Sequence, residues 1–126
     1  MKVRPPMSVI RRSARRGHQG YPIATVAFYG PDDKRASKVV LGIVRFEGGE
    51  PELEKWSSEV GDVRKDTALL QVILNRMREH GVRSVVMPER IIGCPHEEGI
   101  DYPEGQACPQ CDFWRGRNRF TGEYEL

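Results

Sequence analysis

The longest apolar stretches of this 126-residue chain fall well short of the ~20 residues a bilayer-spanning helix requires, which excludes a transmembrane helix. The N-terminus lacks the apolar core and small-residue cleavage site of a secretory signal. Cysteine is scarce: three residues cannot all pair within one chain, so a disulfide framework is not expected. With neither signal nor framework, the cytoplasm is the expected location. Acidic residues are missing from positions 1–20, which carry six basic ones. No internal repeat or low-complexity tract interrupts the chain.

What is present suits one globular domain, with 38% apolar and 30% charged residues. The net charge of +2 hides an asymmetry: residues 21–110 hold eleven basic against fifteen acidic side chains, and residues 111–126 three of each. Positive charge is therefore concentrated in the first twenty residues, read here as a flexible basic arm.

After Gly20 the stretch Ile23 to Tyr29 is rich in β-branched and aromatic residues and predicts a strand. A polar turn, Gly30-Pro31-Asp32-Asp33-Lys34-Arg35, separates it from a second strand over Lys38 to Phe46, so the two should pair as an antiparallel hairpin. Both are apolar at nearly every position, which predicts central strands covered on both faces. Glu52 to Ser57 predicts a third strand, and its acidic residues suit a sheet edge. From Asp66 the period changes: Leu69, Leu70, Ile73, Leu74 and Met77 recur at helical spacing, with Asp66 placed to cap the start and Gly81 to end the helix. The stretch after Gly81 reads as a fourth strand that ends at Pro88 and returns to the sheet.

The expected fold is thus α+β over residues 21–90: an antiparallel three-stranded meander, one amphipathic helix and a fourth strand beside it. The succession strand, strand, strand, helix, strand resembles the first half of the ribonuclease H-like fold. Nucleases of that class hold divalent cations with carboxylates at strand ends and in the helix. Here the first strand and the helix interior from Thr67 to Arg78 carry none, and only Glu89 lies near the end of the fourth strand. That activity is not carried over.

The chain's three cysteines lie within Ile91 to Trp114. Cys94 and His96 stand two apart, Cys108 and Cys111 three apart, with eleven residues between the pairs. Two short chelating pairs on a loop supply the four soft or borderline ligands that tetrahedral Zn2+ takes. The Cys108-Pro109-Gln110-Cys111 half resembles the zinc knuckles of ribbon and treble-clef modules. His96-Glu97-Glu98 with the same cysteine pair also resembles the signature of zinc-dependent deaminases, which implies His96, Cys108 and Cys111 as ligands and Glu98 as proton shuttle. Two features oppose that assignment. Only nine residues, glycine- and proline-containing, separate Glu98 from Cys108, and Cys94 is placed to fill the coordination position that a catalytic zinc keeps open. The expected site is therefore structural, with residues 91–126 forming a zinc-binding module that packs on the core through Phe113 and Trp114.

Arg115, Arg117 and Arg119 alternate between Trp114 and Phe120. Together with Arg11, Arg12, Arg15 and Arg16 they suggest phosphate contacts and base stacking. The expected function is a small zinc protein that contacts nucleic acid or a nucleoprotein assembly. A zinc-dependent hydrolase or deaminase using Glu98 and a protein-interaction adaptor are the competing readings.

Overall fold

A computed structural model describes residues 4–106 and 108–115. Its first element departs from expectation. Pro6–Arg15 is a helix, α1, where a flexible arm was expected. Pro6 occupies the first turn, where its missing N–H costs nothing, and Arg12 and Arg15 sit at the end favoured by the helix dipole. Met7 and Ile10, three apart, turn to one side and are buried, while Arg11, Arg12, Arg15 and Arg16 face solvent. The six basic residues disguise this amphipathic spacing, because only a narrow stripe of the helix is apolar.

The remaining elements are β1 (Ile23–Tyr29), β2 (Lys38–Val44), β3 (Glu52–Ser57), α2 (Thr67–Glu79) and β4 (Ser84–Val86). The second and fourth strands are shorter than predicted. Asp66 caps α2 by accepting from Leu69 N at 3.0 Å, and Gly81 leaves it with φ +64°. The sheet has the order β3-β2-β1-β4 and is mixed: β1, β2 and β3 form the antiparallel meander, whereas β4 runs parallel to β1 with Val85 opposite Ala24. A strand reached through a crossover helix can lie parallel, and α2 provides that crossover.

One face of the sheet carries Ala24, Val26 and Phe28 of β1 and Val39, Leu41 and Ile43 of β2. These pack with Met7 and Ile10 of α1 and Leu70, Ile73, Leu74 and Met77 of α2 into a single core. The expectation that both faces are covered fails. On the opposite face Thr25 is exposed, Ala27, Val40 and Val44 are half-buried, and Leu53 is 55% exposed. Gly42 lies on that face because a Cβ there would stand 2.7 Å from Thr25 Oγ1 and 3.2 Å from Leu53 Cδ2. Its absence lets those two neighbours close over the strand.

Between β3 and α2, Asp62 organises the chain. Its carboxylate accepts from Ala36 N at 3.1 Å and Arg64 N at 2.9 Å, and pairs with the Arg64 guanidinium at 2.6 Å. The Arg64 hydrogen bond holds the Asp62 carboxyl down to about 2, against an ordinary 3.8. A depressed carboxylate pKa contributes stability that is present above the unfolded value and is lost as pH falls through the folded one. Wild-type stability should therefore drop by roughly 2 kcal/mol between pH 4 and pH 2 on account of this group. Urea denaturation of Asp62→Asn, which keeps the acceptor and removes the charge, should show a curve flatter by that amount. Parallel curves would refute the assignment.

Candidate metal centre

Beyond β4 the chain runs along β1. Ile91 bridges Phe28, Ile92 N donates to Phe28 O at 2.9 Å, and Gly30 N donates to Gly93 O at 2.9 Å. These backbone bonds deliver Cys94 just past the end of β1. Lys38, at the start of β2 and 9% exposed, then donates from Nζ to Pro95 O at 3.0 Å and fixes the next turn. His96 follows, its backbone N–H 3.3 Å from Cys94 Sγ.

The loop that returns the chain to this point is held by its own polar groups. Glu97 N donates to Asp101 Oδ2 at 2.7 Å, Gly99 N to Tyr102 O at 2.8 Å, and Gly105 N to Glu98 Oε1 at 2.7 Å. Glu97 is also tied to the sheet by an ion pair with Lys55 and lies 3.8 Å from Lys38 Nζ. The Lys55 hydrogen bond lowers the Glu97 pKa. The return brings in Cys108 and Cys111, which are 7% and 4% exposed.

The result is a compact donor set. His96 Nδ1 lies 3.3 Å from Cys94 Sγ and 3.4 Å from both Cys108 Sγ and Cys111 Sγ. All four ligand atoms fall within 4.8 Å of one another. A tetrahedral centre with bonds of about 2.0–2.3 Å sets its ligands roughly 3.5 Å apart, so the three edges that meet at His96 Nδ1 match those of such a tetrahedron. Burial pushes the Cys94 thiol up, and burial together with the facing Cys94 sulfur does the same for Cys111. Thiols in that situation resist ionising alone, and a cation at their centre supplies the missing positive charge. Cys94, His96, Cys108 and Cys111 could thus hold a metal ion.

No protein-family model, curated protein or solved structure matches this chain.

Past Cys111 a short 3₁₀ turn, Asp112–Trp114, carries the chain back against the core. Trp114 packs on the core cluster, and its indole Nε1 donates to Gly30 O at 2.7 Å. Gly30 itself sits in the tight connection between β1 and β2, where a Cβ would stand 1.9 Å from Arg35 O. Phe113 meets Trp114 edge-on at 4.9 Å. Trp114, expected both to dock and to stack on bases, has its indole N–H engaged in docking. Arg115 reaches Asp112 at 3.4 Å, and Arg117, Arg119 and Phe120 lie outside the described residues. Arg11 forms an ion pair with Glu89. Arg12 and Arg15 on α1 and Arg16 just past it are exposed, and neither Arg15 nor Arg16 makes an ion pair among the described residues.

Sequence reasoning missed Lys38, Lys55 and Gly30, which bind the metal loop to the sheet. A lysine opening an otherwise apolar strand was the available signal for Lys38. Among the described residues, no helix is long and apolar enough to cross a membrane.

Proposed function

We propose that this chain is a small nucleic-acid-contacting protein whose C-terminal loop is stapled to the sheet by a structural Zn2+ ion. The observation that carries the metal half is the placement of three sulfurs at nearly equal distance from His96 Nδ1. Three thiolates and one imidazole in a tetrahedral arrangement select zinc over the oxygen-preferring cations. Four protein donors complete the coordination sphere, leaving no position for an activated water. Glu98, the proton shuttle of the deaminase reading, is engaged with Gly105 N. Both features favour a structural role over hydrolysis or deamination.

The nucleic-acid half is supported by α1. Arg11, Arg12, Arg15 and Arg16 are exposed along one helix, and the first acidic residue of the chain is Asp32. A cluster of exposed guanidinium groups suits sequence-independent contact with phosphates, where binding is driven by release of counterions. Affinity for a generic DNA duplex should fall steeply with salt. Replacing Arg12, Arg15 and Arg16 together by alanine should reduce the log–log salt slope by up to about 2.7, at ~0.9 per phosphate contact. Titration by fluorescence anisotropy over a salt series measures this, and absence of binding at low salt would sink the nucleic-acid half in favour of a protein adaptor. The partly open sheet face around Leu53 is the surface such an adaptor would use.

A further inference from the structure

Beside the α1 arginines lies a groove of about 320 Å³ between the end of α1 and β4, lined by Ala14, His18, Ile23, Val85, Val86 and Met87 among others. That volume stands at the lower end of the ~300–1,000 Å³ typical of small-ligand sites, enough for a planar heterocycle. β4 is the sheet's edge strand, and Val86 is 54% exposed, so the groove opens to solvent. Its side chains are apolar apart from His18 and Ser84. The Ser84 hydroxyl is already used, accepting from Gln19 N at 2.7 Å and donating to Gly20 O at 2.7 Å. His18 is exposed at the mouth, with its ring edge-on to Tyr21 at 6.0 Å.

The charged residues beside this apolar floor are mostly cationic. Arg15 and Arg16 lie between Ala14 and Gly17 in the segment that forms the wall, and both face solvent. The Arg83 guanidinium sits 3.2 Å from where a Cβ on Gly20 would stand. The nearest acid along the chain from the Pro88 end is Glu89, which is occupied by Arg11. An apolar slot with a π surface at its mouth and cations on its rim is complementary to a base carrying phosphates on either side.

We propose that this groove receives one unstacked base of single-stranded nucleic acid, with Arg15 and Arg16 on the flanking phosphates. The proposal deepens the nucleic-acid reading given above and rests on it. Bases in a duplex are stacked and paired and cannot enter, so the groove confers a preference for single strands. Because its polar side chains are few and Ser84 is spoken for, it grips the base by stacking and apolar contact and tolerates any sequence.

The test uses the full chain, a single-stranded oligonucleotide carrying 2-aminopurine, its matched duplex, and an acidic apolar peptide as competitor. The single strand should bind at least tenfold more tightly than the duplex at equal salt, with a change in 2-aminopurine emission. The double variant His18→Ala, Val86→Gln, folded by circular dichroism, should lower single-strand affinity roughly tenfold and abolish the emission change while leaving the salt slope intact. Arg15→Ala with Arg16→Ala should instead reduce that slope by about 1.4, at ~0.7 per phosphate of a single strand. Equal affinity for the two strand forms and a silent groove variant would overturn the groove proposal and leave the nucleic-acid reading standing. Binding to neither form would overturn both. Displacement by the peptide that depends on Val86, without strand preference, would make the groove a peptide site and overturn the proposal.

Discussion

Replacing Cys108 or Cys111 by serine should strip the bound metal and free the loop beyond Gly93 from the sheet, the largest change expected of any single substitution in this chain. Beyond Gly93 the loop is otherwise ordered mainly by polar contacts near the surface, such as Lys55 with Glu97. Cys108 and Cys111 are its buried anchors on the return strand of the loop, and few aliphatic side chains lie between them and Ile91. Metal coordination in small zinc peptides contributes on the order of 10 kcal/mol, which is the scale needed to offset the chain entropy of such a loop. The loss should be visible locally. Trp114 now lies against the core with its indole N–H on Gly30 O, so release should shift its emission to longer wavelength. Chelation of the wild-type protein should produce the same shift, with Trp114→Phe as the control that separates it from Trp56. Elemental analysis should find one zinc per chain in wild type and none in the serine variants. Protein purified without stoichiometric metal, or a melting temperature indifferent to chelator, would refute the clasp.

Ile10→Ala should cost about 2–5 kcal/mol, the range for truncating a fully buried aliphatic residue that leaves a cavity. Ile10 is 0% exposed and packs in the same cluster as Phe28, Ile73 and Val85. Removing residues 1–20 altogether should be worse, since it uncovers the part of the core that α1 caps and deletes the Gln19 and Gly20 contacts to Ser84. Urea denaturation measures both, and an unchanged midpoint in the deletion variant would show that α1 is dispensable. The consequence reaches the functional test. Deleting the basic segment would confound lost phosphate contacts with a damaged core, whereas alanine at exposed Arg12, Arg15 and Arg16 removes charge and preserves a good helix former.

Lys38 illustrates what a linear pattern does not reveal. As the first residue of an apolar strand it reads as a solvated end, yet it is buried and holds Pro95 O and Glu97 from a loop nearly sixty positions away. Trp114 is similar: its arginine neighbours suggest a stacking residue, and only the approach of Gly30 shows that its N–H is committed. The burial of the sheet went the other way. Apolar residues at almost every position of β1 and β2 suggested two covered faces, but both helices lie on one side and the cysteine loop covers the other only in part, beside Tyr29, Lys38, Val40, Leu53 and Lys55.

Features written in neighbouring residues are legible without the fold. The hairpin follows from two β-branched, apolar runs joined by a polar turn, α2 from a period of 3.6 residues, and the Cys94, His96, Cys108 and Cys111 set from two chelating pairs close enough to meet on one loop. The tertiary structure alone decided that the basic segment is a helix built into the core, that β4 joins β1 in parallel, and where the metal loop docks. Those outcomes depend on which apolar stripe finds an uncovered partner and which polar groups meet across long separations, free energies that no local window of the chain contains.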